Sequence, residues 1–197
     1  MPPSSDASAR PKGSLDRILR ESRRLFYERG YDATSMQDIA NALSLHKSTL
    51  YSHIDSKEKL LDLACRDVLD NLELSLDRVE QHRDLPARER VLMAFGAAAD
   101  LALEDVIGTN VILMQRGTTP VGRAVHHRRV AYESRFIELI REAQRSGGVR
   151  NDIDAALLAR SILGMINWLV TWLRPNDQRF SAEEIRRSLV SIIDTGM

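Results

Sequence analysis

"ATSMQDIANALSLHKSTLYSHIDSKEKL", residues 33–60, reads as two short helices in succession, and the second is unusually polar. Between residues 46 and 54, Lys47, Ser48, Thr49, Tyr51, Ser52 and His53 face only two apolar anchors, Leu50 and Ile54. A helix is held to a core by apolar residues recurring every three or four positions. One with so few anchors has an outer face free for another partner. The first helix opens where Thr34 or Ser35 can cap it and Gln37 or Asp38 can answer three residues later, and it ends near Leu43. The turn around Leu43–Leu45 makes the pair a helix-turn-helix, provided that Ile39, Ala40, Leu45, Leu50 and Ile54 pack on the helix before it. That helix runs from about Ser14 to Arg29, with Leu15, Ile18, Leu19, Leu25 and Phe26 on one stripe and Gly30 at a left-handed C-cap.

Outward from this stretch, helical periodicity recurs to residue 195, and strand signals are nearly absent. Ser56 caps an amphipathic helix of about 25 residues, "SKEKLLDLACRDVLDNLELSLDRVE". Pro86 restarts a helix to about Glu104, and a shorter piece covers Val106 to Gln115. After "RGTTP" a long helix runs from about Val121 to Ser146, stopped by Gly147-Gly148. Asp154 to Leu173 is apolar nearly all round, which predicts burial on most faces. Ser181 with Glu184 makes a capping box for a last helix to Asp194. The expectation is an all-α fold of about nine helices. Its parts are a disordered tail (1–13), a three-helix helix-turn-helix domain (14–55) and a C-terminal helical ligand-binding and dimerisation domain (56–197).

Composition narrows the function. Hydrophobic residues make up 43% of the 197, enough for one sizeable core. No run approaches the ~18 uninterrupted apolar residues of a membrane span. The opening "MPPSSDASARPKG" lacks the apolar centre of a signal peptide, so a cytoplasmic protein without a membrane partner is expected. Cys65 is the only cysteine, which excludes an internal disulfide and cysteine-based metal sites and suggests a buried, inert thiol. His126 and His127 point about 100° apart on a helix, a poor arrangement for a shared metal. No phosphate-cradling glycine loop or HExxH-like pair is present, so no enzyme, cofactor or metal is expected. The 28 basic and 28 acidic residues balance, but all four lysines lie in the first 60 residues.

A free polar face on the second helix of a helix-turn-helix is what an operator-binding protein lays in the major groove. His46, Lys47, Ser48, Thr49 and Ser52 can reach base edges or phosphates, while Tyr51 and Lys57 suit phosphate oxygens. An ordinary solvated helix face would look similar in isolation. The surrounding sequence adds to the argument: "RILRESRRLFYERGYDATSMQDIANALSLHKSTLYSHIDSKEKLL" resembles the DNA-binding domain of the TetR family of bacterial transcriptional repressors. The resemblance rests on the "ERGYDATSMQDIA" entry, "TLYSHI" and "SKEKL". It implies phosphate contacts from Thr34 or Ser35, Tyr51 and Lys57, and base readout by His46, Lys47, Ser48 and Ser52. Ser44 stands where the family has glycine, and a slightly different turn is expected there. His46 and Ser48 depart from the usual Ser and Gly and alter which operator is read. Arg10 and Lys12 could reach a minor groove; Arg17, Arg20 and Arg24 could add backbone contacts or simply be solvated.

The resemblance also implies a dimer interface and a ligand cavity in the C-terminal part. For the homodimer the expected residues are Leu158 and Ile162 on one helix and Leu189, Ile192 and Ile193 on the last. Cavity candidates are Phe95 and Leu101, then Ile107, Val111 and Met114, then Tyr132 and Phe136, and finally Met165, Asn167, Trp168 and Trp172. Each can equally be plain core, although Asn167 is an amide in an apolar helix and needs a partner. "NWLVTWLRP" looks like the matching segment of acyl-CoA-responsive relatives. An acyl-CoA effector would want cations at the cavity mouth, and Arg116, Arg123, His126, His127, Arg128 and Arg129 supply candidates, with a surface helix start or an inter-subunit ion pair as the plainer reading.

The expectation is therefore a ligand-responsive regulator that binds a palindromic double-stranded DNA operator as a dimer and is released by a small hydrophobic effector, an acyl-CoA thioester being one candidate. The alternatives are an aromatic or drug-like effector, a DNA-binding protein without any effector, or a helical scaffold whose helix-turn-helix is vestigial.

Overall fold

The computed structural model describes residues 12–175 and 179–197. Among the described residues there are nine helices and no strand. They are α1 (Lys12–Arg29), α2 (Met36–Ala42), α3 (Lys47–His53), α4 (Lys57–Gln81), α5 (Ala87–Glu104), α6 (Val106–Leu113), α7 (Pro120–Arg145), α8 (Ala155–Trp172) and α9 (Ala182–Gly196). The contacts divide the chain into two compact units, Met1–Ala64 and Cys65–Met197, with α4 passing from one into the other. Of the expected tail, residues 1–11 lie outside the described residues, Arg10 among them, and α1 already begins at Lys12.

In the first unit, Ile18, Leu25 and Phe26 of α1 are buried with Met36, Ile39, Ala40, Leu43, Leu50 and Ile54. Seven-residue helices such as α2 and α3 do not hold in water by themselves, so caps and packing must hold them. Ser35 caps α2 in a full capping box, its hydroxyl accepting from the Asp38 N–H at 3.1 Å while Asp38 accepts from the Ser35 N–H at 2.8 Å. At the other end, Leu45 N–H reaches the Ala40 carbonyl and Ser44 N–H the Asn41 carbonyl, a Schellman ending that requires a left-handed residue at 44. Ser44 adopts it, with φ +57°. The expectation of a different turn is thus corrected: two backbone hydrogen bonds hold the turn, and serine bears the strain. Arg17 donates to the Leu43 carbonyl at 3.2 Å and closes the same corner from α1.

The second unit has its own core. Phe95 and the small residues Ala94, Ala98, Ala99 and Ala102 of α5 let α7, α8 and α9 approach closely, and Phe136, Ile140, Ala159, Ile162, Ile166 and Ile193 fill the space. Thr119 and Asp154 cap α7 and α8, a Ser181–Glu184 box caps α9, and α7 ends in a Schellman turn at Gly147, φ +72°. Cys65 is buried.

α8 departs from expectation. It is long and apolar enough to cross a membrane by length and composition, yet only 39% of it is buried. Leu157 is 60% and Trp168 70% exposed. The helix lies against α5, α6 and α7 on one side, and among the described residues Leu157 and Trp168 stay exposed on the other.

Candidate functional site

α3 presents its polar face outward. His46, Lys47, Ser48, Tyr51 and Ser52 are exposed and Thr49 is half-buried, while Leu50 alone of the helix is fully buried. Ser52 turns its hydroxyl back to the Thr49 carbonyl at 2.7 Å, and the Lys47 ammonium lies 5.8 Å from the Tyr51 ring centre. Ser35, at the start of α2, is exposed as well, though its hydroxyl is engaged in the capping box.

Two residues expected to touch phosphate have other work. The Thr34 side chain is buried, and its hydroxyl donates to the Gly30 carbonyl at 2.8 Å, which fixes the α1–α2 turn. Lys57 donates to the carbonyls of Tyr31 and Thr34 at 2.9 and 2.8 Å, and its ammonium sits 4.2 Å from the Tyr31 ring centre. Both residues organise the loop before α2. Arg24 is likewise engaged, by Glu21 and Glu28, while Arg20 is exposed.

The second unit carries a half-open cavity of about 270 Å³ between α4, α5, α6, α7 and α8. Of the expected lining residues, only Tyr132 and Asn167 border it. Phe95, Val111 and Phe136 are close-packed core, because large side chains fill space and do not leave it. Met114, Trp168 and Trp172 lie at the surface, and Ile107 borders a separate hollow with Leu173 and Phe180. Leu101 and Met165 are half-buried away from the lining. Asn167 is exposed at the edge, so it needs no internal partner; the buried amide is Asn110, which donates to the Val170 carbonyl at 3.2 Å. The residues missed are Val68, Leu69 and Leu72 of α4, the small Ala98 and Ala102 of α5, Thr109 and Ile112 of α6, and Leu163 and Ile166 of α8. The signal that could have found them is an alanine pair spaced i, i+4 on α5 opposite an apolar stripe of α4.

Of the residues expected at a dimer interface, Ile192 is exposed, Leu189 is half-buried, and Leu158, Ile162 and Ile193 are buried in their own core, Leu158 next in sequence to the exposed Leu157.

The polar rim of the cavity comes from α7. His126, Arg128 and Arg129 border it, whereas Arg116, Arg123 and His127 do not. Arg128 is held by Glu73 and Asp70 at 2.7 and 2.6 Å; one heptad on, Arg135 grips Glu80 and Asp77 at 2.9 and 2.6 Å. Each guanidinium is pushed above the ordinary arginine value, chiefly by its hydrogen bond to the glutamate. Arg160 pairs with Glu133 at 2.7 Å. Arg129 differs: among the described residues it makes one long hydrogen bond, to the Leu113 carbonyl at 3.4 Å, and no ion pair within 4.0 Å. Burial pulls its pKa below the ordinary value, with the charge of Glu133 opposing. The buried Tyr132 hydroxyl has no hydrogen-bond partner among the described residues, and burial raises its pKa. Among the described residues, no group of three or more His, Cys, Asp and Glu side chains is placed to hold a metal.

A helix-turn-helix unit joined through one long helix to a helical unit with its own cavity defines a regulator of transcription. The chain belongs to the TetR family: the profile described as bacterial regulatory proteins of the tetR family matches residues 18–64, and that of the tetracyclin repressor-like C-terminal domain matches residues 84–197. Members of this family are DNA-binding regulators and not enzymes. The chain is 26% identical over 211 residues to the HTH-type transcriptional repressor KstR2 of Rhodococcus jostii, spanning 100% of this chain and 97% of that one. It is 32% identical to the structure of SCO3833, a TetR-family member from Streptomyces coelicolor A3, with TM-score 0.84 and coverage of 91% and 90%. It is 28% identical to AibR solved with isovaleryl coenzyme A and operator DNA, with TM-score 0.76 and coverage of 92% and 98%.

Proposed function

We propose that this protein is a repressor that reads a palindromic operator as a homodimer and is released by an acyl-CoA thioester. The observation that carries the proposal is α3, which spends Leu50 on its own domain and leaves His46, Lys47, Ser48, Tyr51 and Ser52 exposed. A twofold dimer presents that small helix twice, in successive major grooves. The exposed apolar residues Leu157 and Trp168 on α8 and Ile192 on α9 suit such an interface, since a monomer gains nothing from keeping them in water. In this reading residues 14–55 read DNA and residues 56–197 sense and dimerise. The name of KstR2 supports repression, and the AibR complex supports a thioester effector. At about 270 Å³ the cavity sits near the lower end of small-molecule sites, so a short acyl group suits it better than a long one.

Release works through α4. Its second half is fastened to α7 by the Arg128 and Arg135 clamps, the first of which borders the cavity. An effector that wedges α7 from α4 biases the helix that leads into the DNA-reading domain. Lowering operator affinity a hundredfold requires a preference of about 2.7 kcal/mol for the non-binding state. The test is fluorescence anisotropy with DNA from upstream of the gene, excess nonspecific competitor and a panel of acyl-CoAs. Competitor-resistant binding released by one acyl class supports the proposal. Specific binding that every acyl-CoA leaves intact removes the effector assignment and keeps the repressor.

A further inference from the structure

Among the described residues, α4 belongs to none of the closely packed helix pairs, so side chains and not close backbones hold it. Its second half takes the Arg128 and Arg135 clamps. Its first half takes Arg23 of α1, whose Nε and Nη2 both donate to the Ala64 carbonyl, at 3.0 and 2.6 Å. In mid-helix that carbonyl already accepts from the N–H four residues on, that of Val68, so it does not need the guanidinium. A two-pronged arginine on one oxygen fixes direction as well as distance. The buried contacts of Leu60, Leu61 and Ala64 are apolar and carry no direction.

Ala64 stands between two further contacts. One turn along α4, Val68 lines the cavity together with Leu69 and Leu72. Val68 is also where α6 bears on α4: a Cβ added at Gly108 would lie 2.8 Å from Cγ2 of Val68, closer than carbon atoms pack. The residue after Gly108, Thr109, lines the cavity as well. On the other side, α1 also carries Arg17, which donates at 3.2 Å to the Leu43 carbonyl in the turn that precedes α3.

We infer that Arg23 is the joint through which α1, and with it the DNA-reading helix, follows α4. It acts through other residues and is a positioning residue. The inference rests on the reading of the cavity as the effector site and of α4 as the release route, and names the residue that carries the movement onward. An occupant that presses on Val68, Leu69 or Thr109 displaces this stretch of α4. The displaced Ala64 carbonyl draws Arg23 and α1 with it, and Arg17 passes the shift to the α2–α3 turn. Without Arg23 the first unit keeps its own core of Ile18, Leu25, Ile39 and Leu50 and stays folded, but it no longer follows.

A double-mutant cycle tests the joint without requiring the effector to be known. The operator is the tightest sequence that the protein selects from a random DNA library. Ala102→Phe places a ring in the cavity as a built-in occupant. It is expected to weaken operator binding at least tenfold in the parent protein and less than twofold when combined with Arg23→Met. Arg23→Lys, which can still donate to the Ala64 carbonyl, should restore part of the effect. Hexanoyl-CoA is the second probe: Arg23→Met should bind it within twofold of the parent, while its effect on operator affinity falls at least tenfold. A merely structural Arg23 would lower Tm in the variants and leave both effects at full size, which overturns the joint and keeps α4 as the release route. An Ala102→Phe that leaves operator binding unchanged in the parent overturns the joint and the cavity route together. If hexanoyl-CoA does not bind while the Ala102→Phe cycle behaves as expected, the joint stands and the thioester assignment falls.

Discussion

The ammonium of Lys57 donates to the carbonyl oxygen of Thr34 at 2.8 Å, so two residues that the sequence assigns to DNA phosphates are joined to each other. With its second bond to the Tyr31 carbonyl, Lys57 fixes the loop from which α2 starts. Lys57→Met is expected to destabilise the fold by about 1.5–3 kcal/mol, the range for hydrogen bonds to a charged group. It should leave the salt dependence of operator binding nearly unchanged. Lys47→Ala, at an exposed site, should do the reverse: stability within about 0.5 kcal/mol and a salt slope reduced by about 0.9, the value for one lost phosphate contact. Denaturant unfolding and binding at several salt concentrations read both effects. Equal slopes for Lys47→Ala and the parent protein would remove Lys47 from the phosphate contacts.

Ser44 carries the strain of the α2–α3 turn at φ +57°. Ser44→Gly relieves it at some entropic cost and is expected to raise stability by about 0.5 kcal/mol. Ser44→Val, a β-branched residue that resists left-handed backbone, should lower it by about 1–2 kcal/mol. A stabilising valine in chemical denaturation would mean that the turn is not left-handed in solution.

Neighbouring residues on α8 separate folding from dimerisation. Leu158 is buried in its own core, and Leu158→Ala is expected to cost about 2–5 kcal/mol of stability. Trp168, 70% exposed, should tolerate Trp168→Glu as a fold but not as an interface. Sedimentation velocity should then show a folded monomer with weakened operator binding. A dimer that persists in Trp168→Glu would place the interface elsewhere.

The start of the helix-turn-helix was legible because its signals are local: caps, turns and the anchors Leu50 and Ile54 lie within a few residues of what they control. Ser35, Asp38, Ser181 and Glu184 occupy the caps that their spacing suggests. What depends on distant neighbours was not legible. A helix apolar all round, like α8, reads the same whether it enters a core or faces a partner, and a one-position error separates Leu158 from Leu157. The cavity was the hardest to read, because bulky residues such as Phe95 and Phe136 draw attention but fill space, whereas Ala98 and Ala102 make room. The carbonyl contacts of Lys57 were not legible because phosphate and the backbone carbonyls of Tyr31 and Thr34 attract the same ammonium.

The two capping boxes predict acid sensitivity. Hydrogen bonds from the Ser35 hydroxyl and N–H hold the Asp38 carboxyl below its ordinary value, and those from the Ser181 N–H and hydroxyl do the same for Glu184. A carboxyl with its folded pKa below its unfolded one stabilises at neutral pH. That stability is lost as pH falls below about 4 through the folded value. Thermal unfolding of the Asp38→Asn, Glu184→Gln double variant should show a lower Tm at pH 7 and a shallower decline toward pH 3 than the parent. Parallel curves would exclude a contribution from these carboxyls.

The central claim is that operator and effector hold the protein in different states. Thermodynamic linkage makes this directly measurable: an effector that weakens operator binding must itself be weakened by the operator, by the same factor. The deciding measurement is calorimetric titration of the effector into the free protein and into the protein saturated with operator DNA. The account predicts an effector affinity reduced by the same factor that the effector imposes on the operator, of the order of a hundredfold for full release. Equal effector affinity with and without operator would contradict it.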